Sequence, residues 1–63
     1  MYYTATITFA DGNTRYEYGD ALTLIRWASR YGVYLYTHTQ TGELEIVHTP
    51  RGVAIVIEGD DES

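Results

Sequence analysis

Apolar and polar side chains alternate from Tyr2 to Phe9, with Tyr3, Ala5, Ile7 and Phe9 on one parity and Tyr2, Thr4, Thr6 and Thr8 on the other. That period of two, in a segment rich in Tyr, Thr and Ile, predicts a half-buried strand. Asp11-Gly12 follows, a dipeptide suited to a two-residue hairpin turn because both turn positions tolerate positive φ. A turn of that length pairs Ile7 with Tyr16 and Ala5 with Tyr18 on the apolar face. Thr8 with Arg15 and Thr6 with Glu17 then share the polar face.

The period changes after Gly19. Ala21, Leu24, Ile25, Ala28 and Tyr31 recur at helical spacing, with Leu22 and Trp27 flanking the stripe and Thr23, Arg26 and Arg30 facing outward. Asp20 is a helix N-cap by residue type, and Gly32 stands where a left-handed C-terminal cap is wanted. Three further strands are predicted at Val33 to Thr39, Glu43 to Thr49 and Val53 to Glu58. The connections Gln40-Thr41-Gly42 and Pro50-Arg51-Gly52 each suit a three-residue loop closed by a left-handed Gly. The prediction is therefore an α+β domain of order ββαβββ: a hairpin, one helix packed on one face of antiparallel sheet, and a three-stranded meander. Residues 1–57 form the domain and 58–63 an acidic disordered tail.

With three-residue loops, the faces of the meander can be written out. Val33, Leu35, Thr37, Glu45, Val47, Thr49, Val53, Ile55 and Ile57 form the face suited to the core. Tyr34, Tyr36, His38, Leu44, Ile46, His48, Ala54 and Val56 form the other. One helix covers one side of such a sheet. The second side is then left with Tyr34, Tyr36, Ile46 and Val56 together, more apolar surface than a solvated face usually carries. Tyrosine suits contact surfaces because its ring buries area at little entropic cost while its hydroxyl stays hydrogen-bonded.

Composition narrows the chemistry. A chain of 63 residues holds one domain with a thin core, and without Cys it has neither disulfides nor thiolate chemistry. No apolar run approaches a membrane span, and Met1-Tyr2-Tyr3-Thr4 has no signal-peptide character, so a soluble, cytoplasmic protein is expected. The net charge is −5, but Glu58, Asp60, Asp61 and Glu62 supply four of the nine acids, which leaves five acids against four Arg in the body. Phosphate neutralisation dominates nonspecific nucleic-acid affinity, so direct nucleic-acid binding is disfavoured. His38 and His48 fall out of register for one ion, and neither a nucleophile–base pair nor an enclosed carboxylate pair is present. No cofactor, no metal and no catalysis are expected.

The surface that remains for function is Tyr34, Tyr36, Ile46, His48 and Val56. Glu17, Glu43, Glu45, Asp60, Asp61 and Glu62 add charge suited to a basic partner. In size, charge and architecture the whole chain resembles the small acidic accessory proteins of phages and mobile elements, anti-CRISPR inhibitors among them. The resemblance carries over no individual residue. It implies a non-catalytic inhibitor or accessory protein, working in a bacterial cytoplasm, that blocks a surface on a larger nucleic-acid-handling protein. A near-neutral body favours steric blocking over DNA mimicry. The alternatives are a sheet module that stacks single-stranded bases on Tyr34 and Tyr36, and a homodimer or larger homo-oligomer with a structural role.

Overall fold

A computed structural model describes residues 2–38 and 40–60. The elements run β1 (Tyr2–Thr8), β2 (Thr14–Gly19), α1 (Ala21–Ser29), β3 (Tyr34–Thr37), β4 (Leu44–His48) and β5 (Ala54–Asp60). This is the α+β, ββαβββ order that the residue pattern predicts. All strand pairs are antiparallel and the helix packs on a sheet.

The pairing differs from a hairpin plus a meander. β1 is the centre of a three-stranded sheet of order β2-β1-β5, and β3 pairs with β4 in a separate two-stranded sheet. The Pro50–Gly52 turn forms, with the Val53 N–H donating to the Pro50 carbonyl at 3.1 Å, but it joins two sheets instead of closing a hairpin. Pairing β5 with β1 sets Ile57 beside Ala5 and Ile55 beside Ile7, and both isoleucines pack against the buried cluster. β5 also runs to Asp60, so Glu58, Gly59 and Asp60 pair with Thr4, Tyr3 and Tyr2 and are not tail. The rest of the expected tail, residues 61–63, lies outside the described residues.

The first turn differs by one residue. The Phe9 N–H donates to the Asn13 carbonyl at 2.8 Å and the Gly12 N–H to the Phe9 carbonyl at 2.9 Å. Three residues, Ala10-Asp11-Gly12, therefore make the loop, and Gly12 takes φ 93° as the bulge residue. The Asp11 carboxylate fixes it by accepting from the Asn13 backbone N–H at 3.0 Å. Thr6 now faces Tyr16 and Thr4 faces Tyr18, where a two-residue turn would have paired those tyrosines with Ile7 and Ala5. A one-residue slip exchanges the faces of a strand.

The core joins the two layers. Ala5, Ile7, Leu24, Ala28 and Val33 are fully buried, with Tyr3 and Leu35 nearly so, and Ile55, Ile57 and Leu44 pack against them. The Tyr3 hydroxyl donates to the Gly42 carbonyl, which ties the three-stranded sheet to the β3–β4 loop. Phe9, Tyr31 and Trp27 add an edge-on aromatic cluster, with ring centroids 5.5 and 5.6 Å apart.

Both helix caps form as the residue types predict. The Thr23 N–H donates to the Asp20 carboxylate at 2.9 Å, and this bond, followed by one from the Thr23 side chain, holds the Asp20 pKa below its ordinary value. A depressed folded-state pKa contributes stability above the unfolded-state pKa and loses it as pH falls through the folded one. Asp20→Asn therefore keeps the cap but flattens the acid limb of stability against pH, whereas Asp20→Ala lowers Tm at neutral pH. Thermal melts across acid and neutral pH check both. At the other end the N–H groups of Gly32 and Val33 donate to Ser29 and Ala28 carbonyls at 3.1 Å, and Gly32 takes φ 80°. A Cβ there would meet Pro50 Cγ at 3.0 Å. Gly32→Ala is expected to cost at least the roughly 1–2 kcal/mol of a left-handed L-residue, read as a lower urea midpoint.

Candidate functional site: two tyrosine faces on separate sheets

The inner sides of both sheets contribute to one core, and each sheet keeps an outer side with exposed tyrosines. The two-stranded sheet presents Tyr34 and Tyr36, both exposed, as the alternation predicts. His48 pairs with Tyr34, their rings 6.0 Å apart, and Tyr36 meets the His38 ring edge-on at 5.2 Å. Glu45, assigned by sequence to the core face, stands opposite Tyr36 and reaches His38 Nε2 at 2.6 Å. The cause is loop length. The His38 N–H donates to the Glu43 carbonyl, so four residues, not three, connect these strands and β4 turns over by one. Ile46 consequently lies opposite Leu35, on the side away from Tyr36. A bulge between Tyr34 and Leu35 restores the register in time to bring His48 back to Tyr34.

Val56 does not join this group, because β5 belongs to the other sheet. Glu17 stands opposite Ala5, half-buried on the core side of β2, and so lies on neither outer face. Glu43 is exposed at the β4 end of the Tyr36 strip. Asp60 ends β5 opposite Tyr2, and Asp61 and Glu62 fall outside the described residues. The single surface expected from the sequence is thus divided: Tyr34, Tyr36, His48, Glu43 and Glu45 on one layer, Val56 and Asp60 on the other.

Val56 has different company. The outer face of the three-stranded sheet carries Tyr2, Tyr16, Tyr18 and Val56, which are 53%, 70%, 56% and 60% exposed, around Thr4 and Thr6. Tyr2 and Tyr18 stack with centroids 5.5 Å apart. The two-residue turn expected at Asp11-Gly12 puts Tyr16 and Tyr18 in the core; the signal for the longer loop is Asn13, whose N–H donates to the Asp11 carboxylate. Glu58 stands opposite Thr4 on this face. No arginine does: Arg15 has core-side parity on β2, Arg26 and Arg30 are on or just past α1, and Arg51 is in the turn before β5.

Among the described residues no group of three or more His, Asp or Glu is placed to hold a metal ion, and no helix is long and apolar enough to cross a membrane. Compared with family models, with curated proteins and with solved structures, the chain finds no match.

Proposed function

We propose that this chain is a non-catalytic binding protein that acts by occupying a basic surface on a larger protein, with the outer face of the three-stranded sheet as its contact surface. The observation that carries this reading is the exposure of Tyr2, Tyr16, Tyr18 and Val56 on one rigid sheet. A monomer seldom leaves so much aromatic and aliphatic area open on adjoining strands. Rigid tyrosines contribute contact area with few rotamers to freeze, and threonines between them offer hydroxyls for hydrogen bonds at the rim.

Charge selects the partner class. Glu58 lies on this face and all four arginines lie off it, so the electrostatic match is to a basic protein surface. The same distribution opposes nucleic acid, which needs cations beside the stacking rings. The Tyr34–Tyr36 face is the weaker candidate because its carboxylate Glu45 is engaged with His38 and neither ring is as open as Tyr16. Proteins that handle nucleic acids carry basic surfaces of the required kind, and blocking one of them is the inhibitory role this reading assigns.

A photo-crosslinking amino acid placed at position 16, with positions 36 and 30 as controls, tests the assignment in cells that express the chain. The expected result is one basic protein crosslinked from position 16 and lost on Tyr18→Ala. Crosslinks from position 36 alone would move the surface to the other layer. Crosslinks to nucleic acid would replace protein binding with base stacking.

A further inference from the structure

β5 ends the three-stranded sheet, and its outer edge has a definite chemistry. Phe9 hydrogen-bonds toward β2, so by strand alternation Tyr3, Ala5 and Ile7 also point their backbone groups at β2, while Thr4, Thr6 and Thr8 point theirs at β5. Their partners Glu58, Val56 and Ala54 therefore face inward across the sheet. The N–H and C=O groups of Ile55, Ile57 and Gly59 face the other way, and no strand among the described residues pairs with them. β5 is seven residues long, has no proline or lysine, and begins with the apolar run Ala54–Ile57. Such an edge is a template for another strand.

We infer that β5 pairs antiparallel with the β5 of a second copy, about a two-fold axis at Val56, to give a continuous six-stranded sheet. Self-complementarity and charge select this occupant and this direction. With Val56 opposite Val56, each Ile55 hydrogen-bonds to the partner copy's Ile57, so apolar residues meet apolar residues through the middle of the strand. Glu58 then lies opposite Ala54, so no like charges meet across the paired strands. Parallel, in-register pairing would instead set Glu58 against Glu58, and like charges directly opposite destabilise a sheet. The pairing joins the two outer tyrosine faces edge to edge. It stands independently of what that face binds, since its test is the mass of the chain alone.

Sedimentation equilibrium from micromolar to millimolar chain, combined with amide exchange at Ile57, decides the matter. The expected result is a rise from 7.2 kDa to twice that mass, with Ile57 exchange slowing in step. Val56→Lys, at an exposed position, is expected to keep the circular dichroism spectrum and remain monomeric, because it sets two cations across the axis. A chain of 7.2 kDa throughout would overturn the pairing. So would a dimer in which Ile57 exchanges as fast as in the monomer, or one that Val56→Lys leaves intact.

Discussion

Leu24→Ala is expected to leave this chain largely unfolded. Leu24 is fully buried in the central cluster with Ala5, Ile7, Ala28 and Val33. Truncating a buried leucine costs about 2–5 kcal/mol, because the transfer energy is lost and the cavity collapses only in part. A small scaffold without disulfides rarely holds more than about 3–5 kcal/mol in total. The two quantities are of the same size, so the substitution removes most of the margin. Leu22, on the same helix but more than half exposed, is the internal comparison, and Leu22→Ala is expected to leave the urea midpoint nearly unchanged. Equal midpoints for the two variants would mean that the helix does not bury the Leu24–Ala28 stripe.

The second large effect concerns binding and not stability. Tyr16→Ala and Tyr18→Ala remove the two rings that β2 holds on the outer face. Interface hot spots cost about 2 kcal/mol or more on truncation to alanine, and tyrosine is enriched among them. On the scale of 1.4 kcal/mol per tenfold, each loss corresponds to about 30-fold in affinity. The double variant is therefore expected to abolish capture of the protein crosslinked from position 16 while its thermal unfolding changes little. Tyr34→Ala with Tyr36→Ala, on the other sheet, serves as the control and is expected to retain capture. If the control pair loses binding and the Tyr16–Tyr18 pair keeps it, the working face has been assigned to the wrong layer.

Sequence periodicity reached the elements but not their partners. Leu24 and Ala28 were legible as the buried stripe of a capped helix, and Ile7 and Ala5 as the inner side of the first strand, because local patterns encode which side of an element is buried. Two single-residue loop lengths then decided the surface. A Gly in a left-handed conformation closes both a two-residue and a three-residue turn, so Asp11-Gly12 by itself left the register of Tyr16 and Tyr18 open. The four-residue loop before Glu43 likewise moved Glu45 onto the tyrosine side. The pairing of β5 with β1 instead of β4 sets a long-range pairing above a local hairpin, and no local spacing records that outcome. The tyrosine-rich face expected at Tyr34 and Tyr36 exists, whereas the more open one at Tyr2, Tyr16 and Tyr18 emerges only once the register is known.

Both the proposed contact face and the proposed dimer edge depend on β1 lying between β2 and β5 in this register. Cross-strand Hα–Hα contacts in a nuclear Overhauser spectrum of the chain read that arrangement directly, since they arise at the close, non-hydrogen-bonded pairs. The expected result is cross-peaks for Thr6 with Tyr16, Thr4 with Tyr18, Ala5 with Ile57 and Ile7 with Ile55. Strong backbone contacts joining β4 to β5, with none between β1 and β5, would contradict it.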